Sequence, residues 1–271
     1  MFSVVIPLYN KELSISNTIQ SVLNQTFQDF EIVVVNDGST DNSLQVVEKI
    51  NDSRIRIINK PNGGVSSARN RGIKEAKYDW IAFLDGDDLW IDNHLETLKD
   101  MIETNPADKV FTTSFIFSDN NNVKVQRESF AYLRVDNFCK ASLNHFNKTI
   151  ISSITICIHK EVFGNIGVFN TNYIRGEDVD LWIRISKIYD IIYTDKVTAI
   201  YRKDAENRSD VSYVGVKRTF LKDIDFKNIT DNYERKYYQY FLLNRFKGCI
   251  LKRKWSELFY LLFKYNYHIF I

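Results

Sequence analysis

Hydrophobic residues in the first hundred positions follow two alternating patterns. Short continuous apolar runs, rich in β-branched residues, predict strands at 3–8, 30–36, 55–58 and 80–85. After these runs, apolar residues on one helical face predict helices over 15–23, 44–50 and 95–102, and a further helix is expected over 64–76. Strands that alternate with helices indicate βαβ units, so we expect an α/β fold with a mostly parallel central sheet flanked by helices.

Two of these helices carry N-terminal signals. Ser39, Thr40 and Asp41 are capping-type residues before the second helix, and Asp92 is the expected N-cap of the fourth. Later apolar runs predict strands at 109–118 and 151–159, a helix at 176–187 and two short strands within 190–202. From about residue 216 the chain is helical, aromatic and basic, so we expect an α/β domain over 1–215 and a helical C-terminal extension over 216–271.

Polar segments follow each of the first four predicted strands, at 9–11, 36–40, 60–64 and 85–88. Open α/β sheets bind ligands at the carboxyl ends of their strands. Two of these segments carry carboxylates, which are Asp37 in the second and the acidic cluster of Asp85, Asp87 and Asp88 in the fourth. The acidic cluster therefore lies where the predicted sheet would place its ligand.

The acidic cluster has three interpretations. A solvated turn is one, since Asp-Gly favours turns and acids suit a helix N-terminus. An EF-hand loop that begins at Asp85 is excluded, because Trp90 stands where that loop needs glycine. A divalent metal shared with a substrate's phosphates is the third. Residues 83–88 alone leave the turn and the metal equally open.

The other strand ends favour a nucleotide ligand. Asp37 can bind a base or ribose edge, although an Asp-Gly turn explains it equally well. The first strand is not followed by G-x-G-x-x-G, which disfavours a dinucleotide site, and the chain lacks a P-loop motif. Phosphates would then be neutralised by metal and by basic side chains. Arg69 and Arg71 lie in the helix that leads to the same edge.

Composition excludes several other classes of protein. The net charge is +2, with 36 basic and 34 acidic residues among 271, which gives no overall nucleic-acid footprint. The three cysteines are far apart and odd in number, so we expect free thiols. The N-terminus lacks the features of a signal peptide, and no apolar run approaches the roughly 20 residues of a membrane span. These features predict a cytoplasmic protein that binds no nucleic acid.

Six segments occur in succession over about residues 3–187, and they are "VVIPLYN", "SVLNQTF", "EIVVVNDGSTD", "NGGVSSARNRG", "FLDGDD" and "GEDVDLWIR". Together and in this order they resemble the family 2 glycosyltransferases, which are inverting enzymes of the GT-A fold. The resemblance implies a Rossmann-like GT-A sheet, a nucleotide-sugar donor that is usually UDP-linked, and a divalent metal, Mn²⁺ or Mg²⁺. Short enzymes of this family often build bacterial surface polysaccharide on a glycan or lipid-linked glycan acceptor.

The resemblance also implies roles for individual residues on the donor side. Pro7 and Tyr9 would line the base pocket, Asp37 would contact the uracil or ribose, and Arg69 would approach the nucleotide. Asp85 and Asp87 would form the Asp-x-Asp element, with Asp87 as the direct metal ligand and Asp85 as a ribose or water-mediated partner. Asp88 would support them.

An inverting transfer is a single displacement in which the acceptor hydroxyl loses its proton, so it needs a general base. "GEDVDLW" (176–182) resembles the family's Glu-Asp motif, which makes Asp178 the base and Glu177 a residue that orients it or binds the acceptor. The alternative is that Glu177, Asp178 and Asp180 only stabilise a helix N-terminus.

One segment departs from the family pattern. Many relatives carry Tyr-Arg-x-His after the base motif, whereas this chain has "YRKDAENRS" (201–209), with Asp204 in place of the histidine. Arg202 or Arg208 could engage the diphosphate instead. Two other functions stay open, a nucleotidyltransferase and an inactive nucleotide-sugar-binding module. The first usually needs a glycine-rich N-terminal loop, which "VVIPLYN" lacks.

The C-terminal extension carries an apolar stripe at helical spacing. Its members are Leu251, Trp255, Leu258, Phe259 and Leu262, with "KRK" (252–254) near its start. A basic, aromatic helix of this kind can lie on the inner face of an anionic membrane, where lipid-linked acceptors would make docking useful. The stripe is equally typical of a helix that packs against its own domain or a second subunit.

Overall fold

The computed structural model describes residues 1–118, 132–144, 151–207 and 214–265. Within them the strands are β1 (Phe2–Leu8), β2 (Phe30–Asn36), β3 (Ile55–Asn59), β4 (Trp80–Phe83), β5 (Leu89–Trp90), β6 (Val110–Ser118), β7 (Tyr132–Val135), β8 (Ile156–His159) and β9 (Ile191–Arg202). The α-helices are α1 (Ile15–Leu23), α2 (Ser43–Glu48), α3 (Val65–Glu75), α4 (His94–Thr104), α5 (Phe138–Asn144), α6 (Lys160–Ile166), α7 (Glu177–Ser186), α8 (Asn232–Leu251) and α9 (Trp255–Tyr265).

These strands form one sheet in the order β3-β2-β1-β4-β8-β6-β9-β5, with β7 paired to the side of β9. The first four strands are mutually parallel, and β9 is parallel to β6. Strands β5, β7 and β8 run antiparallel to their neighbours. The predicted α/β architecture, a central sheet with flanking helices, is confirmed.

The central strands are apolar on both faces because helices cover both sides of the sheet. Val5 and Val33 belong to an apolar cluster that includes Ala68 of α3, whereas Ile6 belongs to the cluster on the opposite face with Ile19 of α1. Successive side chains of a strand point to opposite faces, so a continuous apolar run fills both clusters. The strand ends that carry the polar loops are therefore rigidly placed.

Helix α3 packs unusually close to β1. A Cβ atom at Gly72 would lie 2.2 Å from Cγ1 of Val5, a contact that no real side chain could make. Only glycine fits there without displacing helix or strand. The close contact fixes α3, and with it Arg69, relative to the end of β1.

Several predicted boundaries are corrected. Helix α4 begins at His94 after Asn93, so Asp92 is not its N-cap, and the Asp92 carbonyl instead accepts a hydrogen bond from Thr26 N at 2.7 Å. The two short strands predicted within 190–202 are one strand, β9, which stays paired with β6 because the register shifts between Tyr193 and Ala199, where β9 carries the extra residues. Strand β8 is limited to Ile156–His159, and β4 ends at Phe83.

The predicted continuous C-terminal stripe is also wrong, because α8 ends at Leu251 and α9 begins at Trp255. Arg253 is in the left-handed region with φ 53°, Arg253 N donates to Ile250 O at 3.1 Å, and Lys254 N donates to Cys249 O at 2.8 Å. This is the Schellman pattern of helix termination, which usually has glycine at the left-handed position. The sequence "KRK" gave no such signal.

Helix α9 presents two different faces. Leu258, Leu261 and Tyr265 are buried in a C-terminal apolar cluster, which also contains Phe220 and Leu242. In contrast, Trp255, Phe259 and Phe263 are 53, 65 and 94% exposed. In the part of the chain that the structure describes, no helix combines the length and apolar character needed to cross a bilayer.

Candidate active site

A cavity of about 640 Å³ opens at the carboxyl ends of β1 and β4. The chain order reverses beside this point, since β2 and β3 extend from one side of β1 and β4 lies on the other, which is where open α/β sheets bind ligands. The cavity brings together all eight residues expected at the site: Pro7, Tyr9, Asp37, Arg69, Asp85, Asp87, Glu177 and Asp178.

Arg69 joins the two acidic motifs. Its Nη2 donates to Asp85 Oδ1 at 2.7 Å and its Nη1 donates to Glu177 Oε1 at 3.1 Å, with the side chain only 4% exposed. Burial opposes the charge of the guanidinium, but the carboxylates of Asp85 and Glu177 outweigh it and raise the pKa of Arg69. Its terminal nitrogens thus bind one carboxylate of each acidic segment.

Helix α7 begins at Glu177 because of the residue before it. Gly176 has φ 78°, and a Cβ there would lie 2.3 Å from Cδ1 of Phe220. Glycine is thus required both by backbone conformation and by space. The resulting turn directs Glu177 and Asp178 into the cavity, whereas Asp180 pairs with Arg184 at 2.8 Å. The three acids of this segment therefore have different surroundings, whereas a role only in stabilising the helix N-terminus would not distinguish among them.

Burial raises the proton affinity of Glu177 and Asp178. It raises the pKa of Asp178, and the nearby Arg69 opposes that rise. Burial also raises the pKa of Glu177, as does the adjacent Asp178. The Asp178 carboxylate accepts a hydrogen bond from Val179 N at 2.8 Å, which orients it. A carboxylate with a raised pKa is a stronger proton acceptor as long as it is ionised.

Asp87 is paired with a lysine that sequence reasoning did not assign. Lys11 Nζ lies 2.6 Å from Asp87 Oδ2. Burial raises the pKa of Asp87, Lys11 opposes that rise, and Asp85 adds to it. Lys11 stands in the polar segment after β1, but nothing in the local pattern distinguishes it from a surface lysine.

Asp88 supports the loop. Its carboxylate accepts a hydrogen bond from Arg202 N at 2.8 Å, and its carbonyl accepts one from Thr18 Oγ1 at 2.9 Å. The side chain is buried, which suits the supporting role expected for it. It ties the acidic loop to the end of β9 and to α1.

Asp37 organises the loop that leads into α3. Its carboxylate accepts hydrogen bonds from Gly63 N at 3.0 Å, from Gly64 N at 2.8 Å and from Lys60 Nζ. Beside it, Tyr9 is exposed on the cavity wall. Asp37 thus shapes this part of the cavity wall in addition to lining it.

The residues fit a divalent metal only in combination with a substrate. Asp85 and Asp87 offer two carboxylates, but each already binds a cationic side chain through one oxygen. Among residues 1–118, 132–144, 151–207 and 214–265, no three His, Cys, Asp or Glu side chains are grouped to hold a metal by themselves. Mg²⁺ and Mn²⁺ characteristically take one or two carboxylates and complete their shell with phosphates and water.

The segment after β9 borders the cavity. Arg202 Nη2 lies 3.3 Å from Asp204 Oδ2, so these two residues of the segment that differs from the family pattern pair with each other. Arg208, the other candidate for the diphosphate, lies outside the described residues. Glu206, which sequence reasoning also missed, accepts hydrogen bonds from Leu13 N at 3.1 Å and Ser14 N at 3.0 Å at the start of α1.

Comparison with known proteins gives the following relatives. An uncharacterized glycosyltransferase of Rickettsia bellii (strain RML369-C) is 39% identical over 190 residues, covering 68% of this chain and 26% of that protein. WfgD of Escherichia coli, a UDP-Glc:alpha-D-GlcNAc-diphosphoundecaprenol beta-1,3-glucosyltransferase, is 30% identical over 223 residues, covering 80% of this chain and 83% of that protein. This chain thus spans only part of the Rickettsia relatives, since it also covers only 35% of the length of an uncharacterized glycosyltransferase of Rickettsia felis (strain ATCC VR-1525 / URRWXCal2).

The fold has solved counterparts. The crystal structure of S. aureus TarS 1-349 in complex with UDP-GlcNAc matches with a TM-score of 0.72 at 21% identity, covering 99% of this chain and 81% of that chain. At this identity the match concerns the fold, and it agrees with the expected GT-A architecture. The model of glycosyl transferase family 2 matches residues 3–167, more than half of the sequence. On this match and the similarity to WfgD, the chain belongs to glycosyl transferase family 2.

Proposed function

We propose that this protein is an inverting glycosyltransferase that moves a sugar from a UDP-linked donor to a hydroxyl of a growing bacterial surface glycan. The observation that carries the proposal is that one cavity is lined by Asp85 and Asp87 together with Glu177 and Asp178, with Arg69 hydrogen-bonded to both Asp85 and Glu177. The first two carboxylates suit a metal-bound diphosphate, and the second two suit deprotonation of an acceptor.

The donor binds along the ends of β1, β2 and β4. Pro7 and Tyr9 line the pocket for the nucleobase, where the exposed Tyr9 ring offers a flat apolar surface. Asp37 contacts the uracil or ribose edge, and Arg69 approaches the nucleotide while holding Asp85. The UDP assignment is supported by the relative WfgD, whose name gives UDP-Glc as its donor.

Asp87 is the direct ligand for Mn²⁺ or Mg²⁺, and Asp85 acts through the ribose or a bound water. A divalent cation held there supplies positive charge that offsets the charge developing on the leaving diphosphate, which is worth several kcal/mol. Two carboxylates after a buried strand, completed by substrate phosphates, are the donor set that these hard cations prefer.

Asp178 acts as the general base. The acceptor oxygen forms its bond to the anomeric carbon on the face opposite the diphosphate, the carbon–oxygen bond to the diphosphate breaks, and Asp178 takes the hydroxyl proton. Such assistance contributes about 10²–10⁴-fold to a rate. Glu177, held by Arg69, orients Asp178 or binds the acceptor. WfgD, whose name describes a lipid diphosphate-linked acceptor, supports a lipid-linked glycan acceptor here.

The test is release of UDP from a panel of UDP-sugars in the presence of Mn²⁺ or Mg²⁺, with and without lipid-linked acceptors. Metal-dependent UDP release that rises with one acceptor supports the proposal. Pyrophosphate release from a nucleoside triphosphate and a sugar phosphate would instead identify a nucleotidyltransferase. Binding of UDP-sugars without turnover on any acceptor would indicate an inactive binding module.

We further propose that the enzyme works in the cytoplasm with residues 1–215 as the catalytic domain, and that the extension 216–271 contacts the inner face of the plasma membrane. Trp255, Phe259 and Phe263 project from α9 at intervals of four residues and are all more than half exposed. The preceding segment 252–254 is basic and exposed. Aromatic side chains beside basic ones suit the interface of an anionic bilayer, to which each cation adds about 1 kcal/mol.

Vesicle co-sedimentation at low and high salt tests this contact. Deletion of 248–271 would remove the buried residues Leu258, Leu261 and Tyr265, so the cleaner variant is Trp255→Ser combined with Phe259→Ser and Phe263→Ser. Ile188→Ser, which changes an exposed apolar residue elsewhere, is the control. Salt-sensitive binding to anionic vesicles should be lost only in the triple variant. Failure of the unmodified protein to bind such vesicles at low salt would contradict the membrane contact and would favour a protein partner for the exposed face of α9.

A further inference from the structure

Lys11 is built into the donor site rather than lying loosely beside it. Its Nζ donates to Asp87 Oδ2 at 2.6 Å, to the Glu206 carbonyl at 2.6 Å and to the Asn207 carbonyl at 3.2 Å. An ammonium group has three hydrogens to donate, so these three acceptors satisfy it completely. The side chain is only 11% exposed.

The acceptors of Lys11 are themselves held in place. The Glu206 carboxylate accepts hydrogen bonds from Leu13 N and Ser14 N at the start of α1. Asn207 has φ 47° and its Nδ2 donates to the Tyr9 carbonyl at 3.4 Å. The two carbonyls thus accept hydrogen bonds from the ammonium group and keep it beside Asp87.

Both Asp85 and Asp87 are consequently paired with cations, although Arg69 is shared with Glu177. Asp85 binds the guanidinium of Arg69, and Asp87 binds the ammonium of Lys11. A divalent cation that entered alone would add two positive charges beside two fixed cations. A diphosphate brings negative charge that offsets the added cation, so Lys11 and Arg69 repel the metal–diphosphate pair less than they repel the metal alone.

We propose that Lys11 is the resident counter-cation of Asp87 and makes divalent-cation binding conditional on the donor diphosphate. Lys11 is a positioning residue in this scheme, since it acts through Asp87. The inference rests on the proposed function, because it takes Asp87 as the metal ligand and a nucleoside diphosphate as the ligand of the cavity. It adds that the cation binds with or after the donor diphosphate, an order that neither the Asp-x-Asp element nor the Glu-Asp motif implies.

The experiment measures Mn²⁺ binding by electron paramagnetic resonance, with and without UDP, in the full chain. The unmodified protein should bind Mn²⁺ at least about tenfold more weakly without UDP than with it, because neighbouring charges in a partly buried site interact by several times RT. Lys11→Met should tighten Mn²⁺ binding to the UDP-free protein by about tenfold or more. Lys74→Met, which removes an exposed lysine of α3, should leave it unchanged.

The double variant Lys11→Met with Asp87→Asn should lose the gain, because the carboxylate that Lys11 neutralises is then absent. Equal Mn²⁺ affinity in Lys11→Met and the unmodified protein would overturn the proposal. If Lys11→Met does not fold, equally tight Mn²⁺ binding to the unmodified protein with and without UDP overturns it alone, and a UDP requirement supports it. Absence of UDP binding with any metal would overturn the proposed function itself, a result distinct from a UDP-binding protein that is insensitive to Lys11.

Discussion

Arg69 Nη1 donates a hydrogen bond to Glu177 Oε1 at 3.1 Å, although the two residues are 108 positions apart in the chain. The pair is buried, and the second terminal nitrogen of the same guanidinium binds Asp85. One side chain therefore sets the position of Glu177 relative to Asp85. Removing one partner of a buried ion pair is costly, commonly about 3–5 kcal/mol, because the other charge is left unpaired.

Arg69→Met should shift the pH dependence of sugar transfer. In the proposed mechanism transfer requires ionised Asp178, so activity should be lost as pH falls through the pKa of that carboxyl, which burial raises and Arg69 lowers. Without the cation the pKa rises further, and the acidic limb of the kcat/KM profile should move to higher pH. Arg71→Met, on the same helix but paired with Glu75 on the surface, should not move it. An unshifted limb in a folded Arg69→Met protein would contradict the electrostatic link.

Asp87→Asn should lower transfer at least about tenfold and weaken UDP binding only when metal is present, since an amide oxygen is a poor ligand for a hard cation. Calorimetry of UDP binding in Mn²⁺ and in chelator measures the difference. UDP affinities unchanged from those of the unmodified protein in both conditions would remove Asp87 from the metal site.

Asp178→Asn should abolish transfer while donor binding stays nearly intact, because the amide keeps the shape of the carboxylate but cannot take the proton. Asp180→Asn is the matched control, since Asp180 lies on the same helical turn and pairs with Arg184. Turnover and UDP-sugar calorimetry should be run on both variants. Transfer by Asp178→Asn within a few-fold of the unmodified rate would assign the base to another residue.

Gly72→Ala should destabilise the protein by about 1–3 kcal/mol, because the new methyl group overlaps Val5 and forces α3 away from β1. Displacement of α3 also moves Arg69, so activity should fall more than the loss of folded protein explains. Gly164→Ala is the control, because a Cβ there has no neighbour within 4 Å and alanine favours a helix. Chemical denaturation compares the two, and equal stability of both variants would contradict the close contact.

The alternation of β1 to β4 with α1 to α4 was readable from the sequence because most of these elements leave a local pattern in their apolar residues, whereas the short elements β5, β7, α5 and α6 were not predicted. Strands covered on both faces are continuous apolar runs, and polar residues mark their carboxyl ends, where the sheet geometry places a ligand. The family motifs "NDGSTD", "FLDGDD" and "GEDVDLW" then pointed to residues that share one cavity.

Contacts between distant segments were decided only in the folded chain. No local pattern links Lys11 to Asp87 and to carbonyls nearly 200 residues away, or Arg69 to Glu177. Such pairs depend on how helices pack against the sheet, which is set by side-chain volume and by close approaches such as Gly72 on Val5. The end of α8 at Arg253 was hidden for a related reason, because a left-handed residue other than glycine is held by hydrogen bonds and packing that a sequence pattern does not record.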